Sequence, residues 1–397
     1  LLFILLLSTF CLQASSQKSL PPKLPKAVQE SLAMAGDNKA ELEKVIRHYA
    51  KEPEKLKAAY WLVENMRWHK RDYIDIVPDP EFLKVFNLAD SLYYNLVKGK
   101  TIKDIKAKAT KESINSIKKV IRPIIAKSSF NEPQILYVEE EKPTDLNAVK
   151  AQFLIDHIDN AFAMRQTSPH VKKLNATDFF NYLLSYRTID GQYFRYSGKD
   201  FNRFFAKYLG EFATNSFKEH AIRYNLTVGD LRNILGNYPF IERAGFEELF
   251  FNKRSFDCFD ISNYAAIALN ACGFPVDVEF NTVYQMLQGK HSMCRPPASL
   301  GKWDRFSPES GSPGIMPKLR NIFKMTGEMN VLKIHFAAQK NTPYFLKAPN
   351  ETIPYNLSDP CIEDVTSQVL KTVELQLPFN EATQNNLCYL ATFNSAT

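Results

Sequence analysis

The stretch Ser255-Phe-Asp-Cys258-Phe-Asp-Ile-Ser-Asn-Tyr-Ala-Ala-Ile-Ala-Leu-Asn-Ala-Cys-Gly273-Phe-Pro275 places a cysteine at the start of an apolar helix. Ile261, Tyr264, Ala265, Ala268 and Leu269 recur at the three- and four-residue steps of a buried helical face. Gly273 is the expected stop, and Pro275 cannot continue the helix. A helix N-terminus stabilises an anion through its unpaired N–H groups and its dipole. A thiol at Cys258 is therefore expected to ionise readily, and the thiolate is the nucleophile. A cysteine taken at random is more often a small core residue. The position of Cys258 and the motif that follows favour chemistry.

That motif is Gly289-Lys-His291-Ser-Met-Cys-Arg295, then Gly301-Lys-Trp303-Asp-Arg-Phe-Ser307-Pro308. The connection, Pro296-Pro-Ala-Ser-Leu-Gly301, predicts a hairpin or two neighbouring strands. A cysteine at a helix start with a histidine on a following strand is an arrangement suited to thiol acyl transfer.

At these residues the chain resembles the transglutaminase-like superfamily. The family carries a cysteine opening a helix, Gly-Ile-Pro after that helix, a His-x-Trp strand, and then Trp-x-x-x-Asp-Pro. Gly273-Phe-Pro275 matches the second element, and Trp303 with Pro308 matches the last. More closely, the chain is similar to multidomain exported transglutaminase-like proteins of Bacteroidetes-type bacteria. Gly36-Asp-Asn38, Lys55 to Met66, Phe153 to Phe162 and Ser185-Tyr186-Arg187 carry that similarity in the first half. Asp364-Val-Thr366 and Cys388 to Asn394 carry it near the end.

The resemblance implies catalytic roles for Cys258 and His291, with Ser307 at the place of the third partner. It also implies a role near the site for Arg187, whose other reading is a charge near a helix end. Three positions depart from the family: Met293 replaces the tryptophan after the histidine, Phe256 the glycine before the cysteine, and Ser307 the aspartate. On a continuing strand, residues 303, 305, 307 and 309 share a face and Asp304 points away. A serine can orient an imidazole but cannot stabilise imidazolium as a carboxylate does. A slowed triad and a dead one both fit.

The chain has 397 residues, 45% of them hydrophobic, enough for two or three domains with real cores. The net charge of +7 is mild and concentrates in the lysine-rich run from Lys98 to Lys127. A solvated helix face explains that run; an anionic partner such as lipid or a cell-surface polymer is the alternative. Nothing indicates nucleic-acid binding. Residues 1–16 read as a signal peptide, with Ala14 and Ser16 before the cut. They predict export to the periplasm, the cell surface or the medium, with no transmembrane span. The missing first methionine, and an end just after a strand, suggest a sequence cut at both ends. Five cysteines follow the leader, and their odd number leaves one thiol for a nucleophile. No zinc-type spacing is present, so neither metal nor cofactor is expected.

The fold class expected is α+β. An N-terminal helical region occupies 17–143, with a linker at Glu139–Pro143. A papain/transglutaminase-like core with leading helices covers 144–325, and a small β-sandwich-like domain 326–397. Helices are predicted after Asp37-Asn38, from Pro53, and over Glu81–Leu96, Leu146–Met164, Ala176–Tyr186 and Asp200–Tyr224. Strands are predicted from Val278 onward, including Val331–Phe336, Val369–Leu377 and Leu387–Phe393. The function expected is hydrolysis of peptide or amide bonds in a peptide or protein substrate by the Cys258/His291 pair. The alternative is a catalytically inactive surface protein that binds peptide or glycan.

Overall fold

The computed structural model describes residues 20–21, 23–70, 75–77, 80–128, 134–136, 144–188, 197–209, 217–236, 258–284, 289–301, 305–306, 330–354, 357–369, 371–373, 378 and 384–388. The leader at 1–16 and the linker at 139–143 lie outside them. The chain is α+β, with many helices and a four-stranded antiparallel sheet.

Six helices come first: α1 (Lys26–Met34), α2 (Lys39–His48), α3 (Pro53–Asn65), α4 (Pro80–Val97), α5 (Ile102–Lys106) and α6 (Lys108–Lys127). Pro53 sits in the first turn of α3, where its missing N–H leaves no bond unmade. Thr101 and Asp104 close a capping box at α5 through reciprocal bonds of 3.2 and 3.1 Å. Asn38 precedes α2 as expected but does not cap it. Its amide donates instead to the carbonyls of Leu146 and Val149 at 2.9 and 2.8 Å. The apolar stripe of the lysine-rich run is buried at Ile105, Ile114 and Ile121. That burial supplies a structural reason for the stripe.

Next come α7 (Ala151–Thr167), the short α8 (Ala176–Asp178), α9 (Gly198–Leu209), α10 (Phe217–Leu235) and α11 (Cys258–Ala271). Two expectations need correction. The helix over Ala176–Tyr186 is one short turn followed by a π-helical segment, Phe179–Leu184. The single helix over Asp200–Tyr224 is two: α9 ends at Leu209 and α10 begins at Phe217. Gly210 follows Leu209 in the sequence, a stop signal masked by aromatic periodicity on both sides.

The main sheet contains β3 (Asp277–Tyr284), β4 (Gly289–Arg295), β5 (Leu332–Ile334) and β6 (Ile362–Asp364), in the order β4-β3-β5-β6. β5 falls within the expected strand Val331–Phe336, and it pairs with β3. The sheet therefore runs across position 326. Bonds also cross position 143: Asp145 N–H donates to the His69 carbonyl at 3.0 Å. The start of the expected strand at Val369 instead ends the short helix α13 (Thr366–Val369), which follows another short helix, α12 (Pro343–Leu346). Asp364 accepts the Thr366 N–H at 2.8 Å and turns the chain there. Leu387 and Cys388 are not in a strand, and Leu387 N–H bonds Glu351 at 3.0 Å. Residues 389–393 lie outside the described set. A small ladder of β1 (Asp75–Val77) and β2 (Gln134–Leu136) was not expected, because three-residue strands carry no readable period. Among the described residues, no helix is long and apolar enough to cross a membrane.

His157 lies buried in α7 with both ring nitrogens engaged. Nε2 bonds the Leu184 carbonyl at 3.0 Å, and Gly198 N–H donates to Nδ1 at 3.1 Å. The accepting nitrogen requires a neutral ring. Burial pushes the imidazole down to about 4, against the carbonyl bonds that favour its charge. A depressed histidine pKa gives stability that is present above the ordinary value and lost as pH falls toward the folded one. Between about pH 6.5 and 4 the protein should lose on the order of 3 kcal/mol from this group. Urea unfolding at pH 7 and 4.5 tests this. His157→Gln should lower stability at pH 7 and flatten the pH dependence; an equally steep dependence in the variant would assign the loss to other groups.

Candidate functional site

Both ends of α11 are anchored by side chains. At its C-terminal end, Asn160 and Asn202 donate to the Ala271 carbonyl at 2.9 and 2.8 Å. Asn270 accepts the Val276 N–H at 2.7 Å, and Ser168 donates to the Gly273 carbonyl at 2.6 Å. Gly273 has φ +81°, and a Cβ there would stand 2.8 Å from Ser168 Cβ, so glycine is required twice over. At its start, Ser292 Oγ of β4 donates to the Cys258 carbonyl at 2.6 Å and lies 3.1 Å from Ser262 Oγ. Cys294 Sγ bonds the Ser262 carbonyl at 3.4 Å.

Cys258 is the first residue of α11 and is partly exposed. Cys272 and Cys294 are buried, and desolvation raises both thiols. Cys361 is buried and Cys388 exposed. The sequence-based choice of Cys258 thus falls on a cysteine with both a helix start and solvent access.

His291 lies in β4, where its backbone pairs with Asn281. The β4 residue that bonds the start of α11 is its neighbour Ser292. A register shift between Asn281 and Tyr284 interrupts the β3–β4 ladder next to this pair. The His291 side chain lies outside the described residues, as do Trp303, Asp304, Ser307 and 308–329. Phe306 forms a two-bond antiparallel bridge with Cys294, both bonds 2.9 Å, so this segment meets β4 as a neighbour. Arg187 is held in the frame by its terminal guanidinium nitrogens. It pairs with Asp145 at 2.8 Å and bonds the Lys70 carbonyl at 3.1 Å, and the next residue, Thr188, bonds Asn263 of α11.

Sequence reasoning missed a second feature, a buried ionic network built on β3. Glu279 pairs with Arg295, and its other oxygen lies 3.1 Å from Arg305 Nε. Arg305 also donates to Asn281 Oδ1 at 3.1 Å. Lys333 pairs with Asp277 at 2.8 Å and reaches Tyr182 OH at 3.3 Å. Burial pushes the Glu279 carboxyl upward, against the pull of Arg295, Arg305 and Lys333. Burial also opposes the Lys333 charge, but Asp277 and Tyr182 outweigh it and raise the ammonium. The signal was present as the alternation Asp277-x-Glu279-x-Asn281 in β3. It went unread because the cations answering it come from distant segments. Among the described residues, no three His, Cys, Asp or Glu side chains converge as a metal site.

Compared with known proteins, the chain matches no family model, no curated protein and no solved structure.

The network predicts unequal costs for two glutamates. Glu279 is 1% exposed and faces two guanidinium groups, whereas Glu363, paired with His335, is 30% exposed. Glu279→Gln should destabilise by about 3–5 kcal/mol, because it leaves buried cations uncompensated. Glu363→Gln should cost about 1 kcal/mol. Denaturant unfolding at pH 7 compares them, and equal losses would show that burial does not decide the outcome.

Proposed function

We propose that this chain is an exported thiol acyl-transfer protein of transglutaminase-like kind that hydrolyses peptide or amide bonds. Cys258 is the nucleophile, His291 the base and then the acid, and Ser307 takes the third place. The observation that carries the reading is the placement of Cys258, partly exposed at the positive end of the 14-residue helix α11. The Ser292–Cys258 bond ties β4, the strand that carries His291, to the start of α11, although neighbouring residues of a regular strand point to opposite faces. The register shift beside the Asn281–His291 pair, with its extra residue on β3, fits the same reading, because bulges are common next to active sites. The finer fold belongs to the same proposal: a papain/transglutaminase-like core formed by α11 and the sheet, with a β-sandwich-like end.

In this mechanism Cys258 Sγ attacks the substrate carbonyl carbon and the C–N bond breaks. The imidazolium of His291 gives its proton to the departing amine. Water, deprotonated by His291, then cleaves the thioester and frees the thiol. The Cys258 backbone N–H stabilises the oxyanion. A peptide or protein at the cell surface is the substrate class, consistent with the leader at 1–16.

Alkylation by iodoacetamide at pH 6 tests the reading, with exposed Cys388 as the internal reference. Cys258 should react about tenfold faster or more, the mark of a stabilised thiolate. His291→Ala should remove most of that advantage, and Cys258→Ala should abolish peptide hydrolysis. Equal rates at the two cysteines would overturn the assignment. Fast labelling without turnover on any peptide would favour the inactive binding protein.

A further inference from the structure

Away from Cys258, α4, α5, α9 and α10 enclose a cavity of about 270 Å³. Small-molecule sites begin near about 300 Å³, so this is space for a small ligand. Among the described residues, Lys98, Lys100, Lys207 and Arg223 line it, against the carboxylate of Glu219. Behind the wall, Asp90 pairs with Lys207 and accepts the Tyr208 hydroxyl at 2.5 Å. Asp104 of α5 also faces Lys100, so among the described residues four cations stand against Glu219, Asp90 and Asp104, one positive charge in excess.

The pairing within the cavity is uneven. Lys207 is held firmly, by Asp90 and by the rings of Tyr94, Phe204 and Tyr208 at 5.4, 5.2 and 5.0 Å. Arg223 meets Glu219 only at 3.4 Å, long for a charge-assisted bond, and donates to the Lys100 carbonyl at 3.2 Å. The Lys100 ammonium bonds a neutral group, Thr110 Oγ1, at 3.1 Å. Guanidinium and ammonium groups so placed match an oxyanion. The aromatic side chains of Tyr94 and Tyr208 give the cavity a wall that inorganic ions do not use. The floor is fixed: His220 bonds the Leu209 carbonyl at 3.0 Å and packs on Phe274 with centroids 3.6 Å apart.

We propose that this cavity binds a small organic anion, a carboxylate or phosphate group carried on an aromatic or apolar body. The site is independent of the thiol chemistry at Cys258. Isothermal titration of the full chain at fixed ionic strength tests it with phenyl phosphate, benzoate and inorganic phosphate as probes. Saturable one-to-one binding of phenyl phosphate or benzoate is expected, and the tighter of the two identifies the anionic group. Lys98→Glu and Arg223→Gln should each weaken that binding about tenfold while keeping the wild-type circular dichroism spectrum. Cys258→Ala should bind as the wild type does, which separates this site from the thiol reading. Three results would overturn the proposal: no saturable binding of either organic probe, affinity unchanged in both charge variants, or inorganic phosphate binding as tightly as phenyl phosphate. Capture on phosphatidylglycerol vesicles without binding of the small probes would assign the cations to a membrane surface and overturn it as well.

Discussion

The buried pair of Asp145 and Arg187 holds the parts of this protein in one frame. Their side chains are 0% and 2% exposed and meet at 2.8 Å. Tyr186 donates to the other Asp145 oxygen at 2.7 Å. The Asp145 N–H bond to the His69 carbonyl and the Arg187 guanidinium bond to the Lys70 carbonyl extend the cluster to the chain just after α3. His69 bonds the carbonyl of Phe336, just beyond β5, at 2.7 Å. Thr188 continues the line to Asn263 of α11. Taking two charges out of water costs several kcal/mol for each, a cost that the bonds from Tyr186 and to the Lys70 carbonyl help to offset. Segments spread over most of the chain must therefore dock together, and the helix that starts with Cys258 takes its place from that docking.

α11 is accordingly a fixed element rather than a mobile one. Its last turn is tied to α7 and α9 by asparagine amides, and its first turn to β4 by a serine hydroxyl. Chemistry that needs a nucleophile held within a few tenths of an ångström benefits from such support. One structural point separates the five cysteines: Cys272 and Cys294 are sealed in the core, while Cys258 combines partial exposure with a helix start. The ionic network on β3 reinforces the same sheet by charge rather than by apolar packing.

The sequence made the helices legible wherever periodicity and a boundary residue agreed. Pro53 marked the start of α3, and Gly273 marked the end of α11. It misled where two helices shared one aromatic pattern, as at Leu209 and Phe217, and where strands were too short to show alternation. Cys258 was legible because a helix start is a local property. Ser292 was not, because its role depends on which β4 position meets α11. The Asp145–Arg187 pair was hidden for a related reason: neither residue has a neighbour in sequence that identifies the other. The resemblance at Ser185-Tyr186-Arg187 implied a role for Arg187 near the site, with a charge near a helix end as the other reading. Its contacts tie it to Asp145 and to the Lys70 carbonyl, one residue from the α11 contact.

The strand order carries a consequence for how the molecule is made. β3 is an inner strand, yet its second partner, β5, begins only at Leu332, and β6 begins at Ile362. On a chain emerging from the ribosome, the β3–β4 hairpin exists before the strand that closes its far side. Long-range pairing of this kind is slow, and an open strand edge invites pairing with other chains. Asp277 and Glu279 sit on that waiting strand without Lys333, and Glu279 awaits Arg305 as well. The Asp277 carboxylate, uncompensated until Lys333 arrives, repels another copy of the same edge, while Glu279 already faces Arg295 of β4. The charges that make the finished sheet costly to bury thus act as gatekeepers during synthesis, and their neutralisation by late-arriving cations marks the moment at which the edge is safely covered.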